Sequence, residues 1–140
     1  MFMLDTNMCI FIIKNKYQST LTQLKKNRQK GLCISSITLA ELEFGIENAE
    51  DEYKARNQIA LMEFLSIIEI KNFDEDAAIE YGILRKDLKD KKCLIGSAPP
   101  LEAMDMLIGA HAKSLKITLV TNNTKEFSRI HNLKIEDWTK

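Results

Sequence analysis

Four acids in this 140-residue chain stand where polar residues interrupt apolar runs: Asp5, Glu41, Asp105 and Glu126. Asp5 directly follows Phe2-Met3-Leu4, and Glu41 lies about a turn into the helical pattern that follows Leu32-Cys33-Ile34. Asp105 opens a helical pattern just before the apolar run Ile117–Val120, and Glu126 begins the turn after that run. Carboxylates gathered in one cleft repel, so each tends to take up a proton unless a cation neutralises the group. A hard divalent ion with oxygen ligands, Mg²⁺ or Mn²⁺, is the cofactor that such a set would serve. Each acid also has an ordinary explanation. Asp5 can cap a helix, Thr38 to Glu41 fits an S/T-x-x-E capping box, Asp105 suits the positive end of a helix, and Glu126 can be a plain surface residue. Together on one edge of a fold, the four point to function.

Other chemistries are poorly supplied. The chain has two histidines, His111 and His131, and no G-x-S-x-G elbow, so a histidine-activated nucleophile lacks its frame. His111 reads as a helix residue rather than a base. There is no G-x-x-x-x-G-K-[ST] and no G-x-G-x-x-G, which removes the usual cradles for nucleotide phosphates.

The elements that must hold the acids alternate. Phe2–Leu4 reads as a strand, followed by Asp5-Thr6-Asn7, a triplet able to cap a helix over the apolar residues 8–14. A second helical pattern runs through Leu21 and Leu24 to a stop at Gly31. Leu32–Ile34 is a second strand, with a helix beginning near Thr38. Residues 52–66 form a long helix, then Ile67, Ile68 and Ile70 a third strand, then a helix over 74–88 with Ala77, Tyr81, Leu84 and Leu88 on one stripe. Residues 89–103 read as a basic loop, Met104–Leu115 as a helix, Ile117–Val120 as a strand buried on both faces, and Leu133–Ile135 as a last short strand. Such alternation predicts an α/β fold with a largely parallel central sheet and helices on both faces, in one domain over residues 1–140. In open sheets of this kind ligands bind outside the carboxyl ends of the strands.

Composition sets outer bounds. Three cysteines, Cys9, Cys33 and Cys93, far apart and odd in number, support neither a disulfide framework nor a zinc knuckle. No apolar run reaches the length of a membrane span and no signal-peptide order opens the chain, so a cytoplasmic protein is expected. Net charge is zero, but no acid occurs between Asp5 and Glu41, where Lys14, Lys16, Lys25, Lys26, Arg28 and Lys30 fall. A second basic group comprises Arg85, Lys86, Lys89, Lys91 and Lys92. Such segregation can set a phosphate-binding rim beside an acidic centre, or be only a solvated face.

The segments Met3-Leu4-Asp5-Thr6-Asn7, Ile37-Thr38-Leu39-Ala40-Glu41-Leu42, Met104-Asp105-Met106-Leu107-Ile108-Gly109-Ala110-His111-Ala112 and Leu119-Val120-Thr121-Asn122-Asn123-Thr124-Lys125-Glu126-Phe127 together resemble the PIN-domain family, and within it the VapC toxins. The closing Glu136-Asp137-Trp138 is similar to the usual C-terminus of those toxins. The resemblance implies a PIN-like fold and a metal-dependent endoribonuclease toxin that cuts structured RNA such as tRNA, leaving a 5′-phosphate and a 3′-hydroxyl. It implies a homodimer held inactive by a cognate VapB-like antitoxin, which alone would bring it to DNA. Carried across, Asp5, Glu41 and Asp105 match the family's acidic core. Glu126 matches a fourth acid that is often an aspartate, and Thr6, Asn7, Thr121 and Asn123 match supporting polar positions. One departure stands out: Ile95-Gly96 is separated from Asp105 by Ser97 to Met104, including two prolines, where similar toxins have about three residues.

The expectation is that Asp5, Asp105 and Glu126 hold the principal Mg²⁺ or Mn²⁺ and Glu41 helps hold it or a second ion. A Mg²⁺-dependent phosphatase is the alternative enzyme, although Asp5-Thr6-Asn7 lacks the D-x-D arrangement common to that chemistry. A non-catalytic binding module, with the acids merely capping helices, is the alternative of another class.

Overall fold

Side chains alternate across a strand, and in this chain that alternation builds a core on each side of one sheet. Phe2 and Leu4 face one side and Met3 the other; Leu32 and Ile34 oppose Cys33, and Val120 opposes Leu119. A computed structural model describes residues 1–95 and 103–140. Its elements, in order, are β1 (Phe2–Leu4), α1 (Thr6–Ile13), α2 (Gln18–Asn27), a 3-10 turn (Arg28–Lys30), β2 (Leu32–Ser35), α3 (Ser36–Glu47), α4 (Asp51–Leu65), β3 (Glu69–Lys71), α5 (Glu75–Ile95), α6 (Ala103–Leu115), β4 (Thr118–Val120), α7 (Thr124–Phe127) and β5 (Ile135–Glu136).

The sheet has five strands in the order β3-β2-β1-β4-β5, every adjacent pair parallel. The expected α/β class and parallel sheet are therefore present. Helices α1 to α4 cover one face, where Met8, Ile12, Leu24, Leu42, Leu61 and Phe64 pack on the sheet. Helices α5 to α7 cover the other, with Leu84, Ile108, Ala112 and Phe127. Strand β1 lies at the centre, so the residue leaving it, Asp5, emerges between neighbours on both sides. Gly31 enters β2 at φ 94, a backbone conformation that glycine adopts without steric cost.

Some boundaries differ from the sequence reading. Helix α5 ends at Ile95 rather than Leu88, because the supposed basic loop is helical at its start. Lys86 pairs with Asp90 at 2.8 Å and Lys91 with Asp87 at 3.0 Å, both at the (i, i+4) spacing that supports a helix. These pairs also engage part of the second basic group. Strand β3 begins at Glu69, and Ile68 instead fills the core below the turn that precedes it. Helix α3 begins at Ser36, earlier than Thr38, with Ser35 as its cap. Of the long segment before Asp105, Ala103 and Met104 open α6, while Ser97 to Glu102 lie outside the described residues.

Candidate active site

The backbone N–H of Asp5 donates to the Val120 carbonyl at 3.0 Å, so the chain is still paired to β4 as it turns off the sheet into α1. Asp5 caps that helix, its Oδ1 accepting from Met8 N at 2.8 Å. The side chain is 3% exposed. Burial raises its carboxyl from 3.8 to about 6; hydrogen bonds from the Thr121 side chain and Met8 N pull the other way, and the charges of Glu41 and Asp137 push it further up. Capping is thus real but incomplete as an explanation. A cap is ordinarily satisfied at the surface, whereas this carboxyl is desolvated among other acids.

Thr121 is buried at the first position past β4, and its Oγ1 accepts from Asn123 N at 2.9 Å, which leaves the hydroxyl proton for Asp5. Glu41 is half-buried in α3, and its Oε1 accepts from Thr6 Oγ1 at 2.6 Å. The Thr6 hydroxyl also lies 3.5 Å from Thr38 Oγ1. The capping-box explanation for Glu41 does not hold, since Ser35 Oγ takes the cap by accepting from Ile37 N at 3.1 Å. Glu41 instead reaches across to the first residue of α1.

Asp105 is half-buried in the first turn of α6. Helix α6 returns through Lys116 directly into β4, so its first turn lies toward the carboxyl edge of the sheet. Glu126, also half-buried, sits in α7 just beyond β4. Asn7 is exposed on α1, and Asn123 takes the cap position of α7 without a side-chain capping bond. Hydrogen bonds and mutual charge tie together Asp5, Glu41, Thr6, Thr38 and Thr121. Among the described residues no three of His, Cys, Asp and Glu converge closely enough to hold one ion, so Asp105 and Glu126 share the edge without closing a ligand group.

The donors present fit a hard ion. They are all oxygen, and Mg²⁺ commonly takes only one or two carboxylates, completing its octahedron with water and substrate phosphate. Asp5, desolvated and next to Glu41, is the side chain most relieved by a cation.

One acid at this edge escaped the sequence reading as a site residue. Strand β5 pairs with β4, and Thr121 N donates to the Glu136 carbonyl at 2.9 Å, bringing the end of the chain to the same place. Asp137 follows directly, and its charge acts on Asp5. The sequence reading ended the last strand at Ile135; β5 runs to Glu136, and only its pairing with β4 shows Asp137, like Asp5, as the first residue past a strand. Its Oδ1 accepts from both Thr139 N and Thr139 Oγ1, while Trp138 is buried against Phe2 with ring centroids 5.3 Å apart.

Residues 2–133 match the PIN domain. The chain belongs to the PIN-domain family. Its relatives within that family are VapC ribonucleases. It is 40% identical over 138 residues to a tRNA(fMet)-specific endonuclease VapC of Shigella flexneri, covering 99% of this chain and 98% of the relative. It is 42% identical over 142 residues to ribonuclease VapC2 of Rickettsia felis, covering 99% and 98%. The crystal structure of VapBC2 from Rickettsia felis, bound to a DNA fragment from its promoter, superposes with a TM-score of 0.87 at 38% identity over 98% of each chain. The DNA-bound VapBC of Salmonella typhimurium gives a TM-score of 0.87 at 41% identity, over 98% of this chain and 97% of that one. This PIN domain is thus of VapC type, by kinship as well as by fold.

Proposed function

We propose that this VapC-type ribonuclease cuts structured RNA such as tRNA in a reaction that needs Mg²⁺ or Mn²⁺, with residues 1–140 working as one domain in the cytoplasm. The observation that carries the reading is the Asp5 carboxyl: almost wholly buried at the sheet's carboxyl edge, and pushed up to about 6 by that burial with Glu41 adding to it. The cap bond from Met8 N offsets only part of the cost of burying that carboxyl beside Glu41, and a cation would offset the rest. Asp5, Asp105 and Glu126 would hold the principal ion, directly or through water, and Glu41 would help hold it or a second one. Once bound, the ion would supply charge neutralisation at the phosphodiester and activate water for in-line attack.

The chain's own residues have distinct tasks in this reading. Thr6 fixes the rotamer of Glu41, and Thr121 fixes that of Asp5, as hydrogen-bond partners outside a metal's ligands commonly do. Asn7 and Asn123 would serve as polar supports, as the family resemblance implies. Basic side chains from the two Lys/Arg groups would hold the RNA backbone without reading its sequence.

The solved relatives are VapBC complexes, and by that likeness a cognate VapB-like antitoxin is the proposed partner, with a homodimer as the working assembly and DNA reached only through the antitoxin. An Arg or Lys of the partner would enter the acidic cleft, pairing with the carboxylates in place of the metal. Leu42, Ile46 and Ile12 are turned into the core, and the exposed apolar side chains of α3 and α4 include Phe44, 68% exposed, with Tyr53, Ile59 and Met62. No helix among the described residues is long and apolar enough to cross a membrane.

Incubating the purified protein with total cellular RNA, with and without Mg²⁺ or Mn²⁺, and mapping the new ends tests the reading. Discrete internal cuts bearing 5′-phosphates, dependent on metal, are expected. Intact RNA under every metal condition would contradict it.

A further inference from the structure

His111 interrupts an apolar stretch of α6, between Ala110 and Ala112, and is 1% exposed. Its Nδ1 lies 2.8 Å from Ser35 Oγ. That oxygen also accepts from Ile37 N as the cap of α3, which leaves its proton able to be donated to the ring at Nδ1. The backbone of Asn72 also acts on the ring, favouring its protonation. With Ser35 donating to Nδ1, the neutral ring carries its proton at Nε2. Phe73 packs edge-on against it with centroids 5.4 Å apart, and Phe73 N donates to Ser36 Oγ at 3.0 Å. Of the charged groups near the ring, Asp74 favours its protonation and Lys71 opposes it, while burial outweighs both and keeps it neutral.

One side chain therefore joins three pieces of the fold: the middle of α6, the first turn of α3 and the segment leaving β3. Asp105 precedes His111 by six residues on α6, and Glu41 follows Ser35 by six. At 1.5 Å of rise per residue each acid is roughly 9 Å along its helix from the shared hydrogen bond. An aliphatic side chain could fill the same buried volume beside Phe73. It would leave the axial register of the two helices to nondirectional packing, whereas a hydrogen-bonded buried polar group specifies one arrangement.

We propose that His111 is a positioning residue of the nuclease site, setting α6 and its Asp105 in register with the cap of α3 and its Glu41. The inference rests on the reading that Asp5, Glu41 and Asp105 serve catalysis. It assigns His111 no contact with substrate or metal.

The test compares wild type, His111→Leu, His111→Asn, Ser35→Ala, Ser35→Thr and Asp5→Asn on bulk tRNA at saturating Mg²⁺, with kcat and KM separated. His111→Leu is expected to keep KM within about twofold and to lose about ten- to a hundredfold in kcat, the scale on which small misplacements of reacting groups are felt. His111→Asn, which can restore an acceptor facing Ser35, should recover most of kcat. Ser35→Ala should lower kcat and Ser35→Thr restore it, which keeps the matter decidable if His111→Leu does not fold. Nitrogen NMR of the metal-free wild type should show His111 protonated at Nε2 alone. Wild-type kcat in Ser35→Ala or in a folded His111→Leu, beside an inactive Asp5→Asn, would overturn the positioning role and leave the active-site reading standing. An active Asp5→Asn would overturn that reading itself. Protonation at Nδ1 would overturn the hydrogen-bond assignment on which the inference stands.

Discussion

Thr6 Oγ1 donates to Glu41 Oε1 at 2.6 Å, joining residues 35 positions apart. The bond makes the first residue of one helix the orienting partner of an acid one turn into another. Thr6→Val keeps the shape and removes the donor. Its expected cost is about 1 kcal/mol of stability, and about tenfold or more in cleavage rate or metal affinity, as for other partners of metal-binding groups. Thr6→Ser should retain most of both. Chemical denaturation alongside cleavage kinetics checks the pair, and unchanged kinetics in Thr6→Val would remove Thr6 from the site.

The Asp5 carboxyl gives a pH signature. Its folded value, about 6, is above the ordinary 3.8, so between these values the folded state binds the proton more tightly than the unfolded state. Stability of the metal-free protein should therefore fall as pH rises from about 4 to about 6, by on the order of 3 kcal/mol from this group, and level off above. Asp5→Asn should lack that component. Millimolar Mg²⁺ should restore stability to the wild type at neutral pH by binding only the folded state, and do little for Asp5→Asn. Melting curves over pH, with and without metal, measure both effects.

The strands at the centre of the sheet were legible because each is a short apolar run closed by a polar residue: Leu4 by Asp5, Ile34 by Ser35, Val120 by Thr121. That same punctuation pointed to the candidate site, since the closing residues are the ones at the carboxyl edge. The end of α5 was not legible, because Lys89 to Lys92 looks like a charged loop until Asp87 and Asp90 are seen pairing at helical spacing. The role of Glu41 was half legible. Its spacing from Thr38 imitates a cap, and only the fold shows Ser35 in that position and Thr6 beside the carboxylate. Asp137 and His111 needed the third dimension: one is brought to Asp5 by the pairing of β5 with β4, the other to Ser35 by the packing of α6.

Gly109 marks a close approach of α6 to the turn around α7. A Cβ there would stand 2.5 Å from Ile130 Cδ1 and 3.4 Å from the Phe127 ring. Gly109→Ala gains roughly 1 kcal/mol in helix propensity, but both neighbours are buried and overpacking of this kind costs about 1–3 kcal/mol, so the net expectation is a lower melting temperature. Adding Ile130→Val removes the methyl in the way and should reverse the sign. A double mutant no more stable than Gly109→Ala alone would show that Ile130 is not what resists the added carbon.

The central claim is that the acids at the sheet's carboxyl edge, Asp5 first among them, are a metal-dependent nuclease centre rather than helix caps. Cleavage of bulk tRNA by wild type and Asp5→Asn at saturating Mg²⁺ tests it most directly, because the amide can still accept the Met8 N–H that Oδ1 accepts now at 2.8 Å yet ligates a hard cation poorly. A folded Asp5→Asn with cleavage reduced at least about a hundredfold is the result expected. Equal rates for the two proteins would contradict the account.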